Sequence, residues 1–259
     1  MKRIKITVGL LVALFVVGAV VATAAQAEEA PYWSIEGARL GAGETATFTA
    51  RSEVGLTETT PFVLKSPGGE KVTCEKQTLA SNVRQLIGSA AGNPGTSEEV
   101  IELRECKVEG NGTGCTVNEP VKTTALKNEL VYDNTKTFLE VLFKPVSGTL
   151  FETINFTGAN CTFKETKVKG SVDGELWTDP TGGKEEGKSE REKVTKEKGQ
   201  ATSVFIVFPT TAIKKIWLIT NGVGSEVNVE GLEAFAEPSI LSGTQLLSLP
   251  SGSKWSRLR

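Results

Sequence analysis

From residue 31 onward, apolar and polar residues change places at nearly every step, and this alternation limits the fold more than any other feature of the chain. "TATFTA" (45–50) and "KVTCEK" (71–76) have period two, and so does "EEVIELRECKV" (98–108). The runs "TFLEVLFKP" (137–145), "TLFETINFTG" (149–158), "KVKGSVDGELW" (167–177), "ATSVFIVF" (201–208), "IKKIWLIT" (213–220) and "SEVNVEGLEAFA" (225–236) carry the pattern on. Successive side chains of a strand point to opposite faces, so such runs bury one face and solvate the other. They are rich in Val, Ile, Phe and Thr and are bounded by Gly, Pro, Asn and Ser, which is the strand signature. One segment, "TLASNVRQLIG" (78–88), reads as a helix, with Leu79, Val83, Leu86 and Ile87 on one face. No repeat of 20–50 residues stands out. Many short strands with turn residues between them predict an all-β fold, an antiparallel β-sandwich or distorted barrel.

The N-terminus predicts the compartment. "MKRIK" is followed by an uncharged apolar stretch and then by "AQA", with Ala25 and Ala27 before Glu28. That is the layout of a secretory signal peptide over residues 1–27, a signal helix removed on export. The alternative is a retained anchor, since roughly 20 apolar residues can span a bilayer. Either way Lys2, Arg3 and Lys5 hold the N-terminus inside, and the rest is exported. The membrane then enters only through the signal segment, if it is uncleaved. The expected location is secreted or in the extracellular cell envelope.

Loss of those three cations moves the net charge from −2 to −5. A mildly acidic chain lacks the basic face that nucleic acid or an anionic membrane surface requires. No histidine occurs in the 259 residues. Its absence removes the usual general base near neutral pH, the commonest metal ligand and every Ser-His or Cys-His nucleophile. Mixed Cys/His zinc sites are excluded with it. No cofactor, metal site or catalytic residue is expected.

"DPTGGKEEGKSEREKVTKEKG" (179–199) interleaves six positive with six negative charges and holds almost nothing apolar. Such a segment cannot bury enough surface to offset its ordering entropy. It reads as a charged mobile insert within one β-domain, residues 28–247, because the four or so strands after it make a weak core alone. Residues 248–259, which include Trp255, read as a flexible tail.

Cys74, Cys106, Cys115 and Cys161 all lie in the exported part, where disulfides persist. Four cysteines allow three pairings, and sequence alone does not choose. Geometry prefers Cys106 with Cys115, at the base of a hairpin through "KVEGNGTG", which leaves Cys74 with Cys161. In the chain-entropy model those loops contribute about 2.7 and about 4.6 kcal/mol. A four-thiolate zinc site and free thiols are the competing readings; the spacings lack a C-x-x-C knuckle.

The order "PYWSIEGARLGAGETATFTA", "GGEKVTCEKQTLAS", "IELRECKVEGNGTGCTVNEPVKTTALKNELVY", "LFKPVSGTLFETINFTGANCTF", "VKGSV" resembles a group of uncharacterised exported all-β proteins of soil actinobacteria. The shared pattern rests on Trp33, Cys74, the close pair Cys106 and Cys115, Thr123 to Leu126, Pro145 to Gly148, Cys161, and Val168 to Ser171. It covers roughly residues 31–175. The resemblance implies the same nested cysteine pairing and transfers no activity or ligand.

"SVDGELWTD" (171–179) places Asp173, Glu175, Trp177 and Asp179 on one face of a strand. An aromatic beside carboxylates can hold a sugar, and two carboxylates can act as a glycosidase acid and base. The plainer reading is a polar, solvent-facing strand with Trp177 over a cross-strand neighbour. Tyr32, Trp33 and Trp217 read as packing residues. The sequence therefore points to an exported non-catalytic β-domain, a binding or structural module whose partner is a cell-surface glycan or another envelope protein. The alternative is a secreted carbohydrate-active enzyme using carboxylates only.

Overall fold

The computed structural model describes residues 27–53, 59–110, 114–178, 204–211, 215–250 and 253–255. The signal segment up to residue 26 and the charged insert at 179–199 lie outside them. The described residues form antiparallel strands and no helix, as the alternation predicts.

The strands are β1 Ser34–Ile35, β2 Ala38–Arg39, β3 Thr45–Thr47, β4 Thr49–Glu53, β5 Phe62–Lys65, β6 Lys71–Ile87 and β7 Thr96–Glu109. Then come β8 Thr116–Val117, β9 Val121–Lys122, β10 Leu126–Asp133, β11 Leu139–Pro145, β12 Leu150–Thr157, β13 Glu165–Gly170 and β14 Val172–Thr178. Beyond the insert follow β15 Val204–Phe208, β16 Lys215–Thr220, β17 Val223–Asn228, β18 Leu232–Ala234 and β19 Glu237–Ser248.

The pairings close into two circuits that share the long strands β6, β7 and β19. The first runs β6–β7–β10–β11–β14–β15–β19–β4 and back to β6. The second runs β6–β7–β9, crosses to β12 at the bridge Thr123↔Glu152, and returns through β13, β18, β19 and β5. The strands after the insert are thus woven through those before it. One hydrophobic cluster runs through both circuits, from Leu130, Leu139, Leu176 and Ile206 in the first to Leu64, Ile154, Val168 and Leu232 in the second.

The β16–β17 hairpin lies outside the first circuit. It joins β10 through Tyr132↔Trp217 and Asp133↔Ile216. Ile216 packs with Val131 and Leu142, which point away from the main core. This explains why Leu142 of "LEVLF" in β11 is apolar as well as Leu139, Val141 and Phe143: one face meets the core and Leu142 on the other is covered by the hairpin.

Three expectations need correction. Residues 78–87 are strand, not helix. A register shift lies between Leu79 and Arg84, so Leu79 pairs with Ile101 and Leu86 with Ser97, both on the buried side. Two inward leucines seven apart imitate a helical stripe because a bulge has changed the alternation between them.

The cysteines pair as Cys74–Cys106 and Cys115–Cys161, not in the nested arrangement. β7 continues past Cys106 to Glu109, paired with β6, so Cys106 stands directly across from Cys74. Cys115 opens β8, whose partner is β12, and Cys161 follows β12. No tight hairpin brings Cys106 to Cys115. Next to the first disulfide, Glu105 takes a left-handed backbone (φ 56°), and the amides of Glu105 and Cys106 donate to the Glu119 carboxylate at 2.7 and 2.6 Å. That carboxylate satisfies two amides freed by the irregularity.

Trp255 does not fray. It is 1% exposed, bridges to Ile35, and packs against Trp33 with ring centroids 5.7 Å apart. Trp33 is itself buried and donates its indole N–H to the Thr96 carbonyl.

Candidate functional site

β14 puts Asp173, Glu175 and Trp177 on one side, opposite the core-facing Gly174 and Leu176, as period two requires. Gly174 lacks room for a larger residue: a Cβ there would stand 2.4 Å from Ile206 Cγ2. Asp179 lies outside the described residues.

The three described residues do not share an environment. Glu175 and Trp177 are half-buried, and the Trp177 indole donates to Glu175 Oε2 at 3.2 Å. Asp173 is only 2% exposed. Beside it stands an acid the sequence reading missed: Glu140 of β11, 4% exposed, is the Cα partner of Glu175, while Asp173 pairs with Leu142. Glu140 and Asp173 are therefore diagonal neighbours on the outer face of the sheet.

Burial pushes the Asp173 carboxyl well above the ordinary aspartate range, and the adjacent Glu140 charge adds to this, with Glu175 contributing less. Neither Asp173 oxygen has a hydrogen-bond partner of good geometry, although the Glu140 carboxyl and the Gly174 amide stand nearby. Like charges so close in a low-dielectric site cannot both ionise cheaply, so one proton stays with the pair. Next to Asp173 is a cavity of about 20 Å³, bordered by Thr211, Val229 and Ser239. It has room for a single water.

Two further buried acids were missed. Glu99 of β7 is pushed up to about 7 by burial, against an opposing hydrogen bond from Asn128 Nδ2 at 3.0 Å. Glu152 of β12 is raised to about 7 by burial alone. The signal was present for two of them. Glu140 interrupts "FLEVLF" and Glu152 interrupts "LFETINF", each a lone charge in an apolar run. Glu99 lies two residues before Ile101 on the inward face.

Comparison of the chain with protein-family models, curated proteins and solved structures finds no match.

The chemistry must be read from the residues. Among the described residues, no group of three or more Cys, Asp or Glu side chains is arranged to hold a metal ion. The four cysteines are consumed in disulfides. A second cavity of about 400 Å³ opens where the described chain begins, between Glu28, Glu29, Arg39, Gly92 and Asn221. It mixes both signs of charge, and the Arg39 guanidinium is already committed to the Ser89 and Ala90 carbonyls. At the surface of β14, what remains is a tethered Glu175–Trp177 pair, while the acid that would complete a catalytic couple is sealed beneath it.

Proposed function

We propose that the chain is an exported, non-catalytic β-module of the cell envelope or extracellular space. On this reading its half-exposed Trp177–Glu175 face docks a surface glycan or another envelope protein. The carrying observation is the split within β14: the aromatic and one carboxylate reach solvent, while Asp173 is withdrawn from it. A glycosidase needs both carboxyls beside a sugar ring, and a buried, proton-sharing pair offers neither to a polymer. Two disulfides fit an oxidising compartment, and the leader pattern at residues 1–27 supplies the route. We read the two closed circuits as two distorted barrels sharing a wall, a rigid frame for a small docking face.

The test is a glycan array and a cell-wall pull-down with the purified exported protein and its Trp177→Ala variant. Retention should fall by about tenfold, which corresponds to losing about 1.4 kcal/mol of contact. Equal retention by the two proteins overturns the Trp177 face. Glycan turnover abolished by Glu175→Gln or Asp173→Asn would overturn the non-catalytic reading in favour of an acid-only hydrolase.

A further inference from the structure

The Glu140–Asp173 pair has a use that no ligand is needed to argue. Its surroundings are unequal in strength. On one side β11 and β14 pair from Phe143↔Val172 to Glu140↔Glu175, and β11 is tied to β10 by seven residue pairs. On the other side lies the β16–β17 hairpin, joined to β10 by two residue pairs, to Glu28, Gly92 and Asn93 through Trp217 and its 221–222 turn, and to the sheet face by a small apolar patch of Ile216 against Val131 and Leu142. The water-sized cavity at Asp173 lies between Thr211 before β16, Val229 after β17, and Leu232 and Ser239 of β18 and β19. Water therefore has a place beside the pair at the base of the hairpin, whose Ile216 packs on Val131 and Leu142, the Cα partners of Glu140 and Asp173.

We propose that Glu140 and Asp173 form a proton lock beneath the β16–β17 hairpin. With a proton held between the two carboxyls the hairpin stays seated. When that proton leaves for solvent, two adjacent buried anions remain, and the cheapest relief is hydration by lifting the hairpin. An uncompensated buried charge is among the costliest arrangements a fold can contain, and local opening relieves it without breaking the main ladders.

The neighbouring groups favour this response. Glu175, on the same strand, adds a like charge. Glu129 of β10, whose Cα partner is Leu142, is held by Lys144 and Lys127 at 2.7 and 3.5 Å. On the hairpin, Lys215 is bound to Glu226 at 2.7 Å, and the exposed Glu230 beyond β17 carries a further negative charge. Thr211, Val229, Gly231 and Ser239 face Asp173 without charge. Among the described residues, no cation borders the cavity at Asp173 to hold the ionised pair in place. The lifted state would bare Val131, Leu142 and the two acids, an apolar strip beside a carboxylate cluster.

Hydrogen exchange on the full purified chain tests the lock, with rates corrected for intrinsic base catalysis. Between about pH 5 and about pH 9 the opening of residues 215–228 should rise by about tenfold or more, while β10–β11 keeps its protection. Asp173→Asn and, separately, Glu140→Gln should each cut that rise to about twofold or less. Glu99→Gln, which removes a titrating acid elsewhere, should leave it intact. If hairpin and sheet open in step in the wild-type protein, the lock is refuted without recourse to a variant. A selective opening that survives both substitutions refutes it equally.

Discussion

The two circuits share three strands and one core, yet they are closed by different means. The first has long ladders among its own strands: seven residue pairs join β10 to β11 and five join β15 to β19, and none of the strands that belong to it alone carries a cysteine. The second is closed by short ones: a single bridge at Thr123↔Glu152, two pairs between β13 and β18, three between β18 and β19. One disulfide belongs to it alone, and the other lies in the wall that the two circuits share. Cys74–Cys106 fastens β6 to β7, and Cys115–Cys161 fastens the β8–β12 corner. Phe156, Phe163 and Phe235 pack together at that end, with centroids 5.6 to 6.3 Å apart. Where backbone pairing is extensive, burial and hydrogen bonds suffice. At the β8–β12 corner, where only two residue pairs join the strands, a covalent link constrains the unfolded chain as well.

Removing the cross-links breaks the comparison most severely. The disulfides span 32 and 46 residues, and each contributes about 4 kcal/mol in the chain-entropy model. Together they rival the whole stability of an ordinary domain. In strong reductant, exchange protection should be lost first in β12, β13 and β18 and last in β10 and β11. Simultaneous loss would mean that the shared core makes the two circuits one cooperative unit. Peptide mapping of the oxidised protein should return Cys74 with Cys106 and Cys115 with Cys161.

Buried acids give the next largest effect and differ in place: Glu99 on the shared strand β7, where it pairs with β10 of the first circuit, and Glu152 on β12 of the second. Each is raised to about 7 by burial, from an ordinary value of 4.5. A raised acid binds its proton more tightly in the folded state. Its stabilisation is complete below the unfolded pKa and is lost as pH climbs through the folded value. The protein should therefore be most stable near pH 4.5 and lose about 3 kcal/mol per such acid by about pH 7.5. Urea denaturation across that range measures it. Glu99→Gln and Glu152→Gln should each flatten the profile, and Glu152→Gln should do so chiefly in the disulfide-bearing circuit.

What the sequence made legible was whatever period two governs. The strands, their burial alternation and the common side of Asp173, Glu175 and Trp177 follow from local spacing. What escaped were the consequences of pairing at a distance. The bulge in β6 made Leu79 and Leu86 look helical. The cysteine partners depend on β7 continuing past Cys106, which only its ladder with β6 decides. Trp255 looked like part of a tail because its cover, Trp33, is more than two hundred residues away. The acid pair was half visible: Asp173 stood out, but Glu140 becomes its neighbour only when β11 and β14 align. Asp173 read as solvent-facing because nothing local announces that segments far along the chain, at Thr211, Val229 and Ser239, close around it.

The smallest effect concerns the N-terminal seat, which lies against the hairpin attached to the first circuit. Glu28 accepts a hydrogen bond from the Trp217 indole at 2.7 Å and meets Lys136 Nζ at 3.2 Å, while Lys136 lies 3.5 Å above the Trp217 ring. Its amide donates to the Gly222 carbonyl at 3.0 Å. Gly224 leaves space for this arrangement, since a Cβ there would come within 2.0 Å of Glu28 Oε2. The carboxylate and the ammonium are each about two-fifths exposed, so solvent screens much of their attraction. Glu28→Ala should cost about 1 kcal/mol and Lys136→Ala somewhat less, and added salt should shrink both. Because Trp217 sits on the β16–β17 hairpin, its fluorescence should shift in Glu28→Ala even where the melting temperature barely moves. A shift without loss of protection in β12 and β13 would place the seat wholly on the side held together by packing, and equal losses in both circuits would deny their independence at the scale of a single contact.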